Sequence, residues 1–174
     1  MPAPLSPRDT LATWGVRTVN GLSRATGRGS GTVIGGRVGL ALSPHLLAGL
    51  AKGREVILVS ATNGKTTTTA MIAAGWGEGV ASNTTGSNMA AGHVAALVSS
   101  NGSRVVLEVD ESWLADVTRA TNPRVVVLLN LSRDQLDRAN EVRRLAERWR
   151  ALFAEVRGVS VVANANDPLV VFAA

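Results

Sequence analysis

Val56-Ile57-Leu58-Val59-Ser60-Ala61-Thr62-Asn63-Gly64-Lys65-Thr66-Thr67 joins an apolar run to a turn of small residues and then to a helix-compatible stretch. A strand that ends in such a turn and opens a helix aims several backbone N–H groups, and the positive end of the helix dipole, at one point, which favours a phosphate. Lys65 adds a point charge for the β- and γ-phosphates, and the Thr66 hydroxyl is suited to a Mg²⁺ bridging them. The stretch thus reads as an ATP-binding loop formed by Thr62, Asn63, Gly64, Lys65, Thr66 and Thr67. Its spacing is compact: the common pattern has a glycine five residues before Gly64, where this chain has Val59. A plain strand-to-helix turn capped by Thr and Asn is the other reading. The position of Gly64-Lys65-Thr66 at the strand–helix junction favours the phosphate site.

The 174 residues suffice for one domain with a sizeable core. The formal charge is +5, but the arginines are scattered, tyrosine is absent, and only two Phe and four Trp occur. That pattern argues against a nucleic-acid partner; a polyphosphate or an anionic lipid substrate accounts for the sign equally well. With no cysteine there is neither a disulfide nor a thiolate metal site. No apolar run approaches the ~20 residues of a membrane span, and Met1–Pro7 lacks the pattern of a secretion signal, so the expected location is cytoplasmic.

Ser6-Pro7-Arg8-Asp9 predicts a helix start, with Ser6 as cap and Pro7 at the first position. Leu11, Trp14, Thr18, Leu22 and Ala25 share one face of that helix, and the Gly27–Gly31 stretch reads as its stop. Gly31, Gly35 and Gly39 recur at every fourth residue, a flat helical strip for close packing, with contact to a membrane surface as the other reading. Ser43-Pro44 begins another short helix ending near Gly53. From Glu55 the chain turns regular, with apolar strands predicted at 56–59, 104–109, 125–129 and 159–163 and helices between. Continuous Val/Ile/Leu runs predict strands covered on both faces, as in a parallel sheet. Residues 138–157 predict an amphipathic helix with Val142, Leu145, Trp149, Leu152, Phe153 and Val156 inward. The fold class is α/β, a P-loop-type, mostly parallel sheet sandwiched by helices: residues 1–53 form a helical lead-in and 54–174 the ATP-binding domain.

Ligands of such sheets bind beyond the carboxyl ends of the strands. Glu108 ends an otherwise apolar strand, where an acid is costly to bury unless it meets a cation, and so is a candidate for Mg²⁺. Asp110 and Glu111 read as helix-start carboxylates set against the dipole. The loop Asn83–Met89 offers amides and hydroxyls to phosphate, substrate or metal, or is a plain turn. Asn130 reads as a strand-end cap or a site residue. Asn164 either closes a turn or reads an adenine edge. His45 and His93 read as structural.

The ordered set of Val59–Thr69, Asn83–Met89, Leu107–Glu111, Asn130–Arg138 and Asn164–Pro168 resembles the central ATPase domain of the Mur ligase family, in the branch of the MurT-type synthetase subunits of lipid II isoglutaminyl synthases. The likeness extends through Gly27–Leu42. It implies that Lys65 and Glu108 are catalytic-site residues, that Lys65 contacts the ATP phosphates, that Thr66, Asn88 and Glu108 hold Mg²⁺, and that Asn164 and Asp167 lie on the adenine side. Ala61 stands where the family usually has Gly, and Gln135 where most Mur ligases have a His of a second metal site. The resemblance further implies ATP-driven amidation of the D-glutamate α-carboxylate of lipid II, with ammonia from a GatD-type glutaminase partner, at the inner face of the membrane. It also implies a further C-terminal domain, and a zinc ribbon in many members, so the chain reads as a fragment.

Three other readings share parts of this pattern. A folylpolyglutamate-synthase-like ligase has the compact loop. A ParA-like ATPase shares Gly-Lys-Thr-Thr but needs a lysine at Ser60. A non-catalytic binding module would keep only the nucleotide fold.

Overall fold

The computed structural model describes residues 2–25, 32–84, 87–132 and 139–174. The predicted helix stop at Gly27–Gly31, Thr85 and Gly86 of the polar loop, and residues 133–138 of the Asn130–Arg138 motif, with Gln135, lie outside the described residues.

Helices α1 (Pro7–Ala25), α2 (Thr32–Leu42) and α3 (Leu46–Ala51) precede strand β1 (Glu55–Ser60). The alternation then runs α4 (Lys65–Trp76), β2 (Ala81–Ser82), α5 (Ala90–Val98), β3 (Arg104–Val109), α6 (Leu114–Thr121), β4 (Val125–Leu128), α7 (Ala139–Glu155), β5 (Ser160–Ala163) and α8 (Pro168–Ala173). All strand pairs are parallel, in the order β2-β3-β1-β4-β5. The chain leaves β1 toward β2 on one side and later passes from β3 to β4 on the other, so β1 lies at the point where the winding reverses. Ligand crevices form beyond the strand ends at such a point. Right-handed crossovers put α4 on one face and α5, α6 and α7 on the opposite one. α4 packs on β1, β2 and β3, while α6 rests on β1 and α3.

Branched residues at β1 and β3 explain why those strands are central: Val56, Leu58, Val59, Val105, Val106, Leu107 and Val109 are all buried. Each such side chain contributes about 1.5–3 kcal/mol by leaving water. The expected cover on both faces is incomplete at β5, where Val162 is 56% exposed and no described helix lies over it. Strand β2 was not legible as an apolar run; it has two residues, Ala81 and Ser82. Asn122, at φ 45°, ends α6 in the left-handed conformation before Pro123.

The helical layer decides which face of α1 is buried and corrects where α3 begins. Ser6 Oγ accepts from Asp9 N at 3.1 Å and caps α1 as predicted. The buried side of α1, however, carries Asp9, Ala12, Thr13, Val16 and Asn20, whereas Leu11 and Trp14 are each 65% exposed. The reason lies in α2. A Cβ at Gly35 would meet Asn20, one at Gly39 would meet Val16 and Leu46, and one at Gly36 would stand 1.9 Å from the Ala91 carbonyl oxygen of α5. The glycine strip works for Gly35 and Gly39 as read, and Gly36 adds a second contact. Between helices this close only small or polar side chains fit. Asp9 is satisfied there by hydroxyls of Ser6 and Ser43, each at 2.7 Å, which hold its carboxyl below the usual range. Ser43 therefore serves Asp9 rather than capping a helix, and α3 starts only at Leu46.

Candidate nucleotide site

The loop between β1 and α4 owes its shape to one glycine and three straps. Gly64 sits at φ 85°, a conformation costly for any side chain, and its carbonyl accepts from Thr68 N to start the helix. Asn63 N donates to Asn130 Oδ1 at 2.9 Å while Asn130 Nδ2 donates to Asn63 O at 3.0 Å. Thr62 N donates to Asn130 O at 2.9 Å, and Ser132 N donates to Thr62 Oγ1 at 3.1 Å. Asn130 is thus the brace that ties the end of β4 to the loop. Ala61 needs no glycine conformation: its side chain is fully buried and its φ is not positive. The first-turn N–H groups of α4 have no intrahelical partner and converge beyond the loop.

Lys65 folds back over this loop. Its Nζ donates to Ala61 O, to Thr62 O at 3.1 Å and to Glu111 Oε2 at 3.2 Å. Side-chain exposure of Lys65 and Glu111 is 14% and 16%, so the pair is shielded. Here another expectation is corrected. Glu111 is no helix-start carboxylate, since α6 begins at Leu114 and the acid of its first turn is Asp116. The turn instead brings Glu111 to the lysine. Asp110 Oδ1 accepts from Ser112 N to shape that turn, and Trp149 Nε1 of α7 donates to Glu111 O at 3.1 Å. Sequence reading missed Glu111 as a site residue because its position depends on a turn and on α7; the one available signal was the run of acids Glu108, Asp110 and Glu111 after an apolar strand.

Glu108 lies one strand away. Its main chain is fixed on both sides: Asn83 Oδ1 accepts from Glu108 N at 2.9 Å, and Asn83 Nδ2 donates to Glu108 O at 3.0 Å. Asn83 continues the sheet ladder with its side chain where β2 has ended. His93 Nε2 donates to the same carbonyl at 2.9 Å. Burial presses the His93 pKa down to about 4, so it stays neutral and structural, as expected. Glu108 itself is buried, and its Oε2 has no hydrogen-bond partner among the described residues. A bare carboxylate oxygen in such a place suits a cation. Asn88 stands at the same rim, its carbonyl accepting from Asp110 N at 3.0 Å. Among the described residues no three Asp, Glu or His side chains converge. A hard cation that retains most of its waters and takes one carboxylate, as Mg²⁺ does, fits this donor set better than one needing a full protein cage.

Asn164 and Asp167 end β5 on the same rim, and both side chains serve the backbone. Asn164 Nδ2 donates to Leu129 O at 2.8 Å. Asp167 caps α8 by accepting from Leu169 N and Val170 N, and its other oxygen accepts from Leu131 N at 2.9 Å. The structure thus gathers Thr62–Thr67, Asn88, Glu108, Asn164 and Asp167 along one edge of the sheet. Thr66 and Thr67 are exposed there, while His45 is exposed near α3, away from it.

Residues 59–173 match the family profile of the Mur ligase middle domain. Among named relatives, the lipid II isoglutaminyl synthase (glutamine-hydrolysing) subunit MurT of Streptococcus pneumoniae is 31% identical over 150 residues, covering 81% of this chain and 33% of the relative. The subunit of the same name from Staphylococcus aureus is 30% identical over 155 residues, covering 85% of the chain and 35% of the relative. A UDP-N-acetylmuramoylalanine–D-glutamate ligase from Caulobacter is 31% identical over 118 residues, 67% of the chain and 25% of the relative. The chain spans about a third of the length of the MurT relatives it matches.

Proposed function

The chain belongs to the Mur ligase family, and from that premise we propose that it carries the nucleotide-binding part of an ATP-dependent ligase of peptidoglycan synthesis. The reaction is the amidation of the D-glutamate α-carboxylate of lipid II to D-isoglutamine, with ammonia from a GatD-type glutaminase subunit. Relatives named as lipid II isoglutaminyl synthase subunits, matched over four-fifths of the chain, support this reading. The observation that carries it is the placement, beyond the carboxyl ends of adjacent strands, of a loop lysine, Lys65, held by Glu111, and of a second, buried carboxylate, Glu108, whose Oε2 has no partner among the described residues.

Residues 54–174 form the ATP-binding domain and residues 1–53 its helical lead-in. A carboxylate is a poor electrophile until one oxygen carries a leaving group. Transfer of the γ-phosphoryl group to that oxygen releases ADP; ammonia then attacks the acyl carbon, the C–O bond breaks, phosphate departs and the nitrogen loses a proton. Lys65 and the first-turn amides of α4 hold the phosphates in place, Thr62, Asn63, Gly64 and Thr67 shape the cradle, and Asn164 and Asp167 shape its adenine side. Thr66, Asn88 and Glu108 hold Mg²⁺, directly or through its waters. When bound, Mg²⁺ neutralises charge on the phosphates. Among the described residues no helix is long and apolar enough to cross a membrane; we place the reaction on the cytoplasmic side, where ATP is supplied.

The test uses a synthetase polypeptide of the relatives' length containing this chain, together with a GatD-type partner. Lipid II should lose about one mass unit, the difference between OH and NH₂ expected of acyl activation followed by amine attack. The change should require ATP, Mg²⁺ and either glutamine or free ammonia. Lys65→Ala should lower turnover by about 10²-fold or more, and Glu108→Gln should raise the Mg²⁺ concentration required. Glutamate addition to a folate acceptor in place of this mass change would move the assignment to a different ligase.

A further inference from the structure

We infer that the outer face of helices α1 and α2 is a docking surface for an anionic lipid bilayer. The charge of the chain is unevenly placed. Residues 1–53 contain Arg8, Arg17, Arg24, Arg28, Arg37 and Lys52 against the single acid Asp9, while residues 54–174 hold twelve basic and twelve acidic residues. The whole formal charge of +5 therefore resides in the helical lead-in. Asp9, its one acid, is buried under Ser6 and Ser43 and faces away from solvent.

The same layer turns its large apolar side chains outward. Leu11, Trp14 and Leu22 on α1, with Ile34 and Leu42 on α2, are all exposed. They form one surface. The helices run antiparallel, Arg8 Nε donating to Leu42 O at 2.7 Å at one end and Gly35 resting on Asn20 toward the other. Leu42 and Val38 lie over Gly15 of α1, between Trp14 and the α2 side. Arg8 and Arg17 flank the α1 stripe on opposite sides, and Arg37 flanks it on α2; all three are exposed.

A second protein would meet this patch with apolar surface, but nothing in such contacts requires a uniformly basic surround. An anionic bilayer matches both features. Its headgroups attract arginines at the rim, and its acyl boundary takes up Leu11, Trp14 and Ile34, with the Trp14 indole at the interface where that ring is favoured. The buried face of α1 already packs on α2, so insertion needs no opening of the fold. This inference does not depend on the nucleotide reading.

The test is co-sedimentation of the chain with vesicles of phosphatidylcholine containing phosphatidylglycerol and with vesicles of phosphatidylcholine alone. Binding should occur to the first and not the second, and should fall as salt is raised. Arg17→Gln with Arg37→Gln should weaken partition by about 25-fold, roughly fivefold per charge. Trp14→Ser should weaken it by about tenfold, and Leu22→Ser on the same face supplies a second apolar variant should the first fold poorly. Nucleotide binding should be unchanged in every variant, since none touches the loop after β1. No sedimentation, equal binding to both vesicle types, or binding indifferent to the apolar substitutions would overturn the inference. So would a self-associated form of the chain that Trp14→Ser dissolves, which would assign the face to a second copy.

Discussion

Helices α1 and α7 differ little in length, at 19 and 17 residues, and both show a clear apolar stripe, yet they present it in opposite directions. On α7 the stripe faces in: Trp149 and Leu152 are fully buried, with Val142, Phe153 and Val156 packed beside them. On α1 the stripe faces water, and the inner side is made of Ala12, Thr13, Val16 and Asn20. The neighbours decide the direction. α7 meets an apolar core and α8, with room for large side chains, whereas α1 meets the glycine edge of α2, where room for them is lacking. Periodicity identifies a face, and the volume offered by the adjacent element determines whether that face is buried.

The largest expected effect tests this contrast directly. Trp149→Ala should cost about 4 kcal/mol of stability by leaving a cavity, and Trp14→Ala should stay within about 0.5 kcal/mol. Urea denaturation of both variants decides it, and similar losses would break the contrast.

The glycine edge comes next. A Cβ at Gly36 meets backbone of α5 rather than a movable side chain, so Gly36→Ala should cost about 3 kcal/mol. A neutral Gly36→Ala, by the same urea measurement, would mean that the helices are less tightly apposed than the contrast requires.

His93, on the helix that receives α2, gives a pH signature of similar size. Its folded pKa of about 4 lies below the ordinary 6.5. Between these values the unfolded chain binds a proton that the folded chain refuses, so stability falls as pH drops through that window. The loss should approach ~3 kcal/mol near pH 4. Urea midpoints recorded from pH 7 downward should show it, and His93→Gln should remove that part of the slope.

The smallest effect sharpens the α7 side of the comparison, because Trp149 also positions Glu111. Removing that charge frees the Lys65 amine and lessens repulsion of phosphate. Glu111→Gln should therefore tighten ATP binding by about fivefold, roughly 1 kcal/mol for a shielded pair. Calorimetry showing weaker binding instead would make Glu111 an orienting group for the lysine.

How much of this was legible in the residues follows from how local each feature is. Strand β1, the loop and the start of α4 could be read because apolar run, turn and helix are adjacent in sequence, and β3, β4 and β5 followed from compact Val/Leu runs. β2 could not, since two residues carry no period. Glu108 was legible as an acid on an apolar strand. Glu111 was not, because the contact with Lys65 spans 46 positions of chain and depends on how a turn is held from α7. The direction of α1 was beyond the pattern for the same reason: it is set by glycines on another helix. Asn83 read as part of a ligand loop or a plain turn and Asn130 as a strand-end cap or a site residue, and their roles as a ladder extension and a loop brace appear only once the strand ends stand side by side.

The hydrogen bond from Trp149 to Glu111 O has an optical consequence. A fully buried indole emits to the blue of exposed ones, and this indole is bonded to the main chain of the residue whose carboxylate holds Lys65. A polyanion that draws Lys65 away from the Glu111 carboxylate changes the charge beside that turn, and with it the field along the indole N–H. In a chain with Trp14, Trp76 and Trp113 replaced by phenylalanine, the remaining emission would report occupancy of the loop after β1 without any attached dye.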